Sequence, residues 1–99
     1  MARLKNIHPG EVLKEEFLEE LGISAYKLSK DTGIPQTRIS EIVKGKRRIT
    51  ADTALRLSGY LGTSAKFWLG LQDDYDLEEE QILKQKELGA IKPYKPNAA

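Results

Sequence analysis

The sequence predicts an all-α fold of five helices followed by a C-terminal helical tail, and three observations predict it. Apolar residues recur at three- and four-residue intervals along most of the chain. The periodic runs close at Gly22, Gly33, Gly45 and Gly62, and three of them open on Ser24, Thr50 and Ser64, residues suited to helix N-caps. Ninety-nine residues fit one domain with a tail, and a boundary is expected where the acidic run around Asp73, Asp74 and Asp76 changes the composition, giving a domain over 7–76 and a tail over 77–99.

The first helix opens at His8-Pro9-Gly10-Glu11, where proline suits a first turn and the glutamate complements the helix dipole. Leu13, Phe17 and Leu21 form its inward stripe, with Val12 and Leu18 beside them, and Gly22 ends it. His8 has no nucleophile or carboxylate motif around it and reads as structural. Ser24 caps a second helix that runs to Thr32 and turns Ala25, Leu28 and Ser29 inward.

A third helix, expected over 35–43, follows the turn at Gly33-Ile34-Pro35. Two short helical patterns broken by a glycine make a helix-turn-helix. With Ile39 and Ile42 inward, Gln36, Thr37, Arg38, Ser40 and Glu41 are left outward, a concentration of hydrogen-bonding groups at the front of one helix. Lys44-Gly45-Lys46-Arg47-Arg48 then places four cations around a glycine, a composition that suits phosphates. Thr50 caps a fourth helix through Leu61, with Ala54, Leu57 and Leu61 on one face. A fifth is expected over 65–71. Its Phe67-Trp68-Leu69-Gly70-Leu71 run divides between domain core and a homodimer contact, for which Phe67, Trp68 and Leu71 are the candidates. Helix-forming composition resumes over 77–88 with a Glu80–Lys84 pair, and the end from Lys92 reads as extended.

The net charge is only +1, but the charges are sorted. Residues 1–23 carry −2, residues 24–72 carry +6 and residues 73–99 carry −3. A basic centre between acidic flanks fits a nucleic-acid-binding face. With no cysteine and one histidine, disulfides, thiolate chemistry and a protein-only zinc site are not expected. No cofactor is implied. A phosphate-cradling loop and a nucleophile–base pair are missing too, so an enzyme ranks last among the function classes. No signal-peptide pattern and no run of about 18 apolar residues occurs, so a cytoplasmic protein without membrane association is expected.

Five helices with the second and third forming the turn motif resemble the lambda-repressor-like, XRE-type DNA-binding domain. Three segments resemble a narrower group, the HigA (VapI-type) antitoxins: His8-Pro9-Gly10-Glu11-Val12-Leu13-Lys14-Glu15-Glu16-Phe17-Leu18, the run from Lys44 through Thr50 to Leu57, and Phe67-Trp68-Leu69-Gly70-Leu71-Gln72. The resemblance implies an antitoxin that binds a HigB-type messenger-RNA-cleaving toxin and represses the shared operon, with double-stranded operator DNA as the second partner. It assigns base contacts to Gln36, Thr37 and Glu41, with Arg38 serving either a guanine or a phosphate. Backbone contacts then fall to Ser40, Lys44, Arg47 and Arg48, with Lys27 and Lys46 as further phosphate candidates.

Two positions depart from the XRE pattern. Ala25 stands where glutamine often holds a phosphate, leaving that contact missing or supplied by Tyr26 or Lys27. Ser29 replaces the usual alanine, and its hydroxyl is expected to bond a helix carbonyl one turn back. The toxin-binding surface is placed on the tail at 77–88 or on the first helix. A stand-alone regulator, or an interaction module on a vestigial helix-turn-helix, are the alternative functions.

Overall fold

The computed structural model describes residues 5–96; the expected chain start at 1–4 and the end of the extended tail at 97–99 lie outside the described residues. Six helices and no strand occur among the described residues. Helix α1 is one helical run in three parts: an α turn Pro9–Val12, a π-helical stretch Leu13–Leu18 and a closing turn Glu19–Leu21. Then come α2 (Ala25–Thr32), α3 (Gln36–Val43), α4 (Ala51–Leu61), α5 (Ala65–Leu83) and α6 (Gln85–Gly89). The all-α fold and the helix-turn-helix of α2 and α3 stand as the sequence predicts.

The caps form where their chemistry requires. Ser24, Thr50 and Ser64 accept the backbone N–H three residues on, from Lys27, Thr53 and Phe67. His8 caps α1 through Nδ1, which accepts the Gly10 N–H at 2.8 Å, while its ring meets Tyr75 edge-on at 4.8 Å. Burial holds the His8 pKa below its ordinary value despite the carboxylates of Asp76 and Glu11, so the ring is kept in the neutral form that the cap needs.

Two expectations are corrected. The π stretch changes which residues of α1 face inward: with about five residues between stacked positions, Leu13 and Leu18 are buried together, and Leu21 is left exposed. Helix α5 does not stop near residue 71. It runs for 19 residues through the acidic segment and across the expected 76/77 boundary. No glycine or proline interrupts it between Gly70 and Leu83, and aspartates lower helix propensity without breaking a helix that is anchored elsewhere.

The core gathers Leu13, Leu28, Ile34, Ile39, Ile42, Ile49, Ala54, Leu57 and Trp68, drawn from α1 to α5 and from the loops before α3 and α4. Trp68, expected among the dimer candidates, is fully buried inside this chain and donates its Nε1–H to Thr63 Oγ1 at 2.7 Å. It is core. Phe67 is 39 % exposed and Leu71 half-buried, so the outward part of that segment is narrower than the sequence suggested.

The first turn of α1 approaches the end of α3 backbone to backbone. A Cβ placed on Gly10 would lie 1.8 Å from the Ile42 carbonyl oxygen and 3.0 Å from the Val43 Cα. Both obstacles are backbone, so no side-chain rotation relieves them. Gly10→Ala should therefore cost ~1–3 kcal/mol by forcing α1 away from α3, measured by urea unfolding. An unchanged midpoint would refute that reading of the contact.

Candidate nucleic-acid interface

Helix α3 and the loop after it are built to present polar groups. Ile39 and Ile42 are buried, which fixes the rotation of α3 and turns Gln36 and Thr37 to the exposed side. Arg38, Ser40 and Glu41 are half-buried. Among α1 to α5, α3 alone begins without a side-chain cap: Pro35, its N-cap residue, has no group to supply one. Its first amide groups therefore stand free at the front of the helix.

The end of α3 closes by a Schellman pattern. Lys46 N–H donates to the Glu41 carbonyl at 2.8 Å and Gly45 N–H to the Ile42 carbonyl at 2.9 Å, with Gly45 in the left-handed region at φ 76°. That turn throws Lys44, Lys46, Arg47 and Arg48 outward, and all four are exposed. The sequence-predicted cations are thus gathered beside α3, with Lys27 exposed on α2.

Several of them already hold carboxylates. Arg47 Nε donates to Glu41 Oε1 at 2.9 Å, Arg48 Nη2 to Asp76 Oδ2 at 2.6 Å, and Arg38 Nη1 lies 3.5 Å from Asp52 Oδ2. Lys27 Nζ pairs with Asp31 Oδ2 at 3.0 Å, where the Tyr60 hydroxyl also donates at 2.6 Å. The Tyr60 bond and then Lys27 hold the Asp31 carboxyl below its ordinary value, and the same hydrogen bond raises Tyr60. Lys44 and Lys46 enter no ion pair among the described residues.

The expected back-bond of Ser29 is made instead by Thr32, whose Oγ1 donates to the Leu28 carbonyl at 2.6 Å and accepts from Ile34 N–H at 3.2 Å. Sequence reading also missed Gln72. Its buried side chain accepts Ile49 N–H at 2.7 Å and donates to Asp76 Oδ1 at 2.9 Å, so the Asp76 that holds Arg48 is itself held by α5. The same helix accepts Asn6 Nδ2 at the Tyr75 carbonyl. Asp52, Arg56 and Tyr60 on α4 were missed as well; their four-residue spacing is the one sequence signal that could have found them.

No group of three or more His, Asp and Glu placed to hold a metal, and no helix long and apolar enough to cross a membrane, occurs among the described residues. Residues 14–68 match the helix-turn-helix family. Antitoxin HigA-1 of Vibrio cholerae serotype O1 is 36 % identical over 84 residues, covering 85 % of this chain and 79 % of that protein. The chain belongs to the HigA antitoxin family. Virulence-associated protein I of Dichelobacter nodosus is 51 % identical to it over 79 residues, 80 % of this chain and 73 % of the relative. A solved structure of Pseudomonas aeruginosa antitoxin HigA with the higBA promoter superposes with a TM-score of 0.86 at 39 % identity, covering 90 % of this chain and 98 % of that one.

Within this HigA-family chain, Gln72 carries the link between the basic loop and α5. Gln72→Leu should leave the Ile49 amide buried without an acceptor, lowering stability by ~1–3 kcal/mol in thermal or urea unfolding. A loss below about 0.5 kcal/mol, the range of inert surface changes, would mean that the bond is dispensable.

Proposed function

We propose that this chain is a dimeric operator-binding repressor that also serves as the antitoxin of a type II toxin–antitoxin pair. The observation that carries the DNA half is that one helix joins an uncapped front bearing exposed Gln36 and Thr37 to the exposed cationic turn 44–48 at its other end. The likeness to a HigA solved with its promoter supports it. Gln36 and Thr37 enter the major groove, where a glutamine amide pairs with adenine. Arg38 and Glu41 complete the base-reading set. Lys44, Lys46, Arg47 and Arg48 hold the backbone on one side, with Lys27 and Ser40 as further phosphate contacts.

The antitoxin half rests on the family relationship to Antitoxin HigA-1. The partner is a HigB-type messenger-RNA-cleaving toxin, met in the cytoplasm. Phe67 and Leu71 contribute to the dimer contact. The toxin docks on the α5–α6 arm, where Leu77, Ile82, Leu83 and Leu88 are exposed, or on α1.

Footprinting on the promoter region of its own gene should protect two half-sites about 34–36 Å apart or a multiple, with affinity falling steeply as salt rises. No protection at low salt would overturn the repressor reading. Gln36→Ala should cost ~1–3 kcal/mol and relax preference at one base position, whereas Arg47→Ala weakens binding on all duplexes. Equal losses on operator and random DNA from both variants would overturn that division. For the antitoxin half, the product of the neighbouring gene should co-purify with the chain and lose its RNA-cleaving activity in the complex; a neighbour that neither binds nor cleaves leaves a stand-alone regulator.

A further inference from the structure

We propose that Asp52 is a positioning residue for DNA recognition, holding the Arg38 guanidinium in one place beside the reading face of α3 on a frame that Arg56 fastens to the end of α2; this rests on the DNA-reading function above. Asp52, Arg56 and Tyr60 lie four residues apart along one face of α4, and that face runs alongside the helix-turn-helix. Tyr60 reaches Asp31 on α2. Arg56 Nη1 donates to the carbonyl of Thr32, the last residue of α2, at 2.9 Å, filling one of the acceptors that a helix end leaves open. Its Nε meets both carboxylate oxygens of Asp52 at 3.1 Å, and Asp52 Oδ2 faces Arg38 Nη1 at 3.5 Å.

The frame passes through the turn itself. A Cβ on Gly33 would lie 2.9 Å from Arg56 Nη1, so the residue that makes the turn also leaves room for the guanidinium. Arg38 stands at the third position of α3, directly after Gln36 and Thr37, with its side chain 33 % exposed. It is neither buried nor freely sweeping through solvent. Exposed ion pairs add little to stability, so the consequence of this contact falls on where Arg38 sits. A long side chain fixed before binding loses less freedom on contact, which favours the bound state. The Arg38–Asp52–Arg56 trio keeps a net positive charge, so placing a carboxylate here does not turn the surface against phosphate.

The test measures binding of the full chain to a duplex of its own promoter region and to a random duplex, for wild type, Asp52→Asn, Arg38→Ala and the double variant. Asp52→Asn keeps the shape and removes the charge. It should weaken promoter binding about threefold to fivefold, leave random-duplex binding unchanged or slightly tighter, and shift melting by no more than a few degrees. In the Arg38→Ala background it should have no further effect on promoter binding. Arg56→Lys keeps a charge but loses the planar fork that spans Thr32 and Asp52, and should move promoter binding in the same direction.

Full retention of discrimination by Asp52→Asn would overturn the proposal while leaving the DNA-reading function intact. So would equal tightening on both duplexes, which would make Asp52 only a restraining charge, or losses that multiply in the double variant. A wild-type chain that does not distinguish its promoter from random DNA removes the recognition function itself, and the positioning role with it.

Discussion

The architecture depends on the backbone of α1 lying directly on the carbonyl end of α3. Gly10 permits this approach because the space a side chain would need is taken by the Ile42 carbonyl and the Val43 Cα. The contact sets the height and tilt of α3 at its C-terminal end, and Ile39 and Ile42, buried beneath it, set its rotation. His8 completes the joint: it caps α1, packs on Tyr75 of α5, and stands where a Cβ added to Gly45, in the turn that ends α3, would meet it at ordinary contact distance. One end of α3 is thereby fixed by backbone sterics and a neutral ring, the other by the glycine turn and the α4 frame.

On this scaffold the basic surface is organised rather than merely accumulated. Arg38, Arg47, Arg48 and Lys27 each rest against a carboxylate, on α4, α3, α5 and α2 respectively, while Lys44 and Lys46 enter no ion pair among the described residues. Exposed pairs of this kind are worth at most about 1 kcal/mol, so under the proposed function phosphate displaces the carboxylates on Arg47, Arg48 and Lys27 at small cost, while Asp52 stays with Arg38. Their value is directional. Under the proposed function the arginines start from defined places, and Lys44 and Lys46 supply the long-range attraction that is most sensitive to salt.

Local chemistry was legible in the sequence. The serine and threonine caps, the glycine ends and the inward isoleucines of α3 all follow from neighbours within a turn, and these are the features that define the helix-turn-helix and its polar face. What was not legible depends on residues far apart in the chain. Nothing near Gln72 signals that its amide will be buried against Ile49, yet that anchor holds α5 through an acidic segment that reads as a boundary. The π stretch in α1 is equally hidden, because a period of 3.6 assigns Leu21 inward and only the packing of Leu13 with Leu18 shows otherwise. Trp68 was misplaced for a similar reason: a cluster of aromatics states how apolar a segment is, and its partners decide which ring points in.

Glu41 shows how local and non-local information combine. Its position one turn after Thr37 assigns it to base reading under the proposed function, and a carboxylate in the major groove accepts from cytosine. In the free protein the same carboxylate holds Arg47 at 2.9 Å. Through that bond Arg47 fixes where the Glu41 carboxylate stands, so under the proposed function the two events are linked. A phosphate that takes Arg47 releases Glu41 toward the groove, and a base that engages Glu41 releases Arg47 toward the backbone. Contacts that position the protein and contacts that read the sequence then depend on one exposed ion pair, and DNA offering only one of the two partners leaves the other charge without compensation. That linkage penalises a backbone without the matching base, the discrimination that a repressor needs against the non-specific DNA around its site.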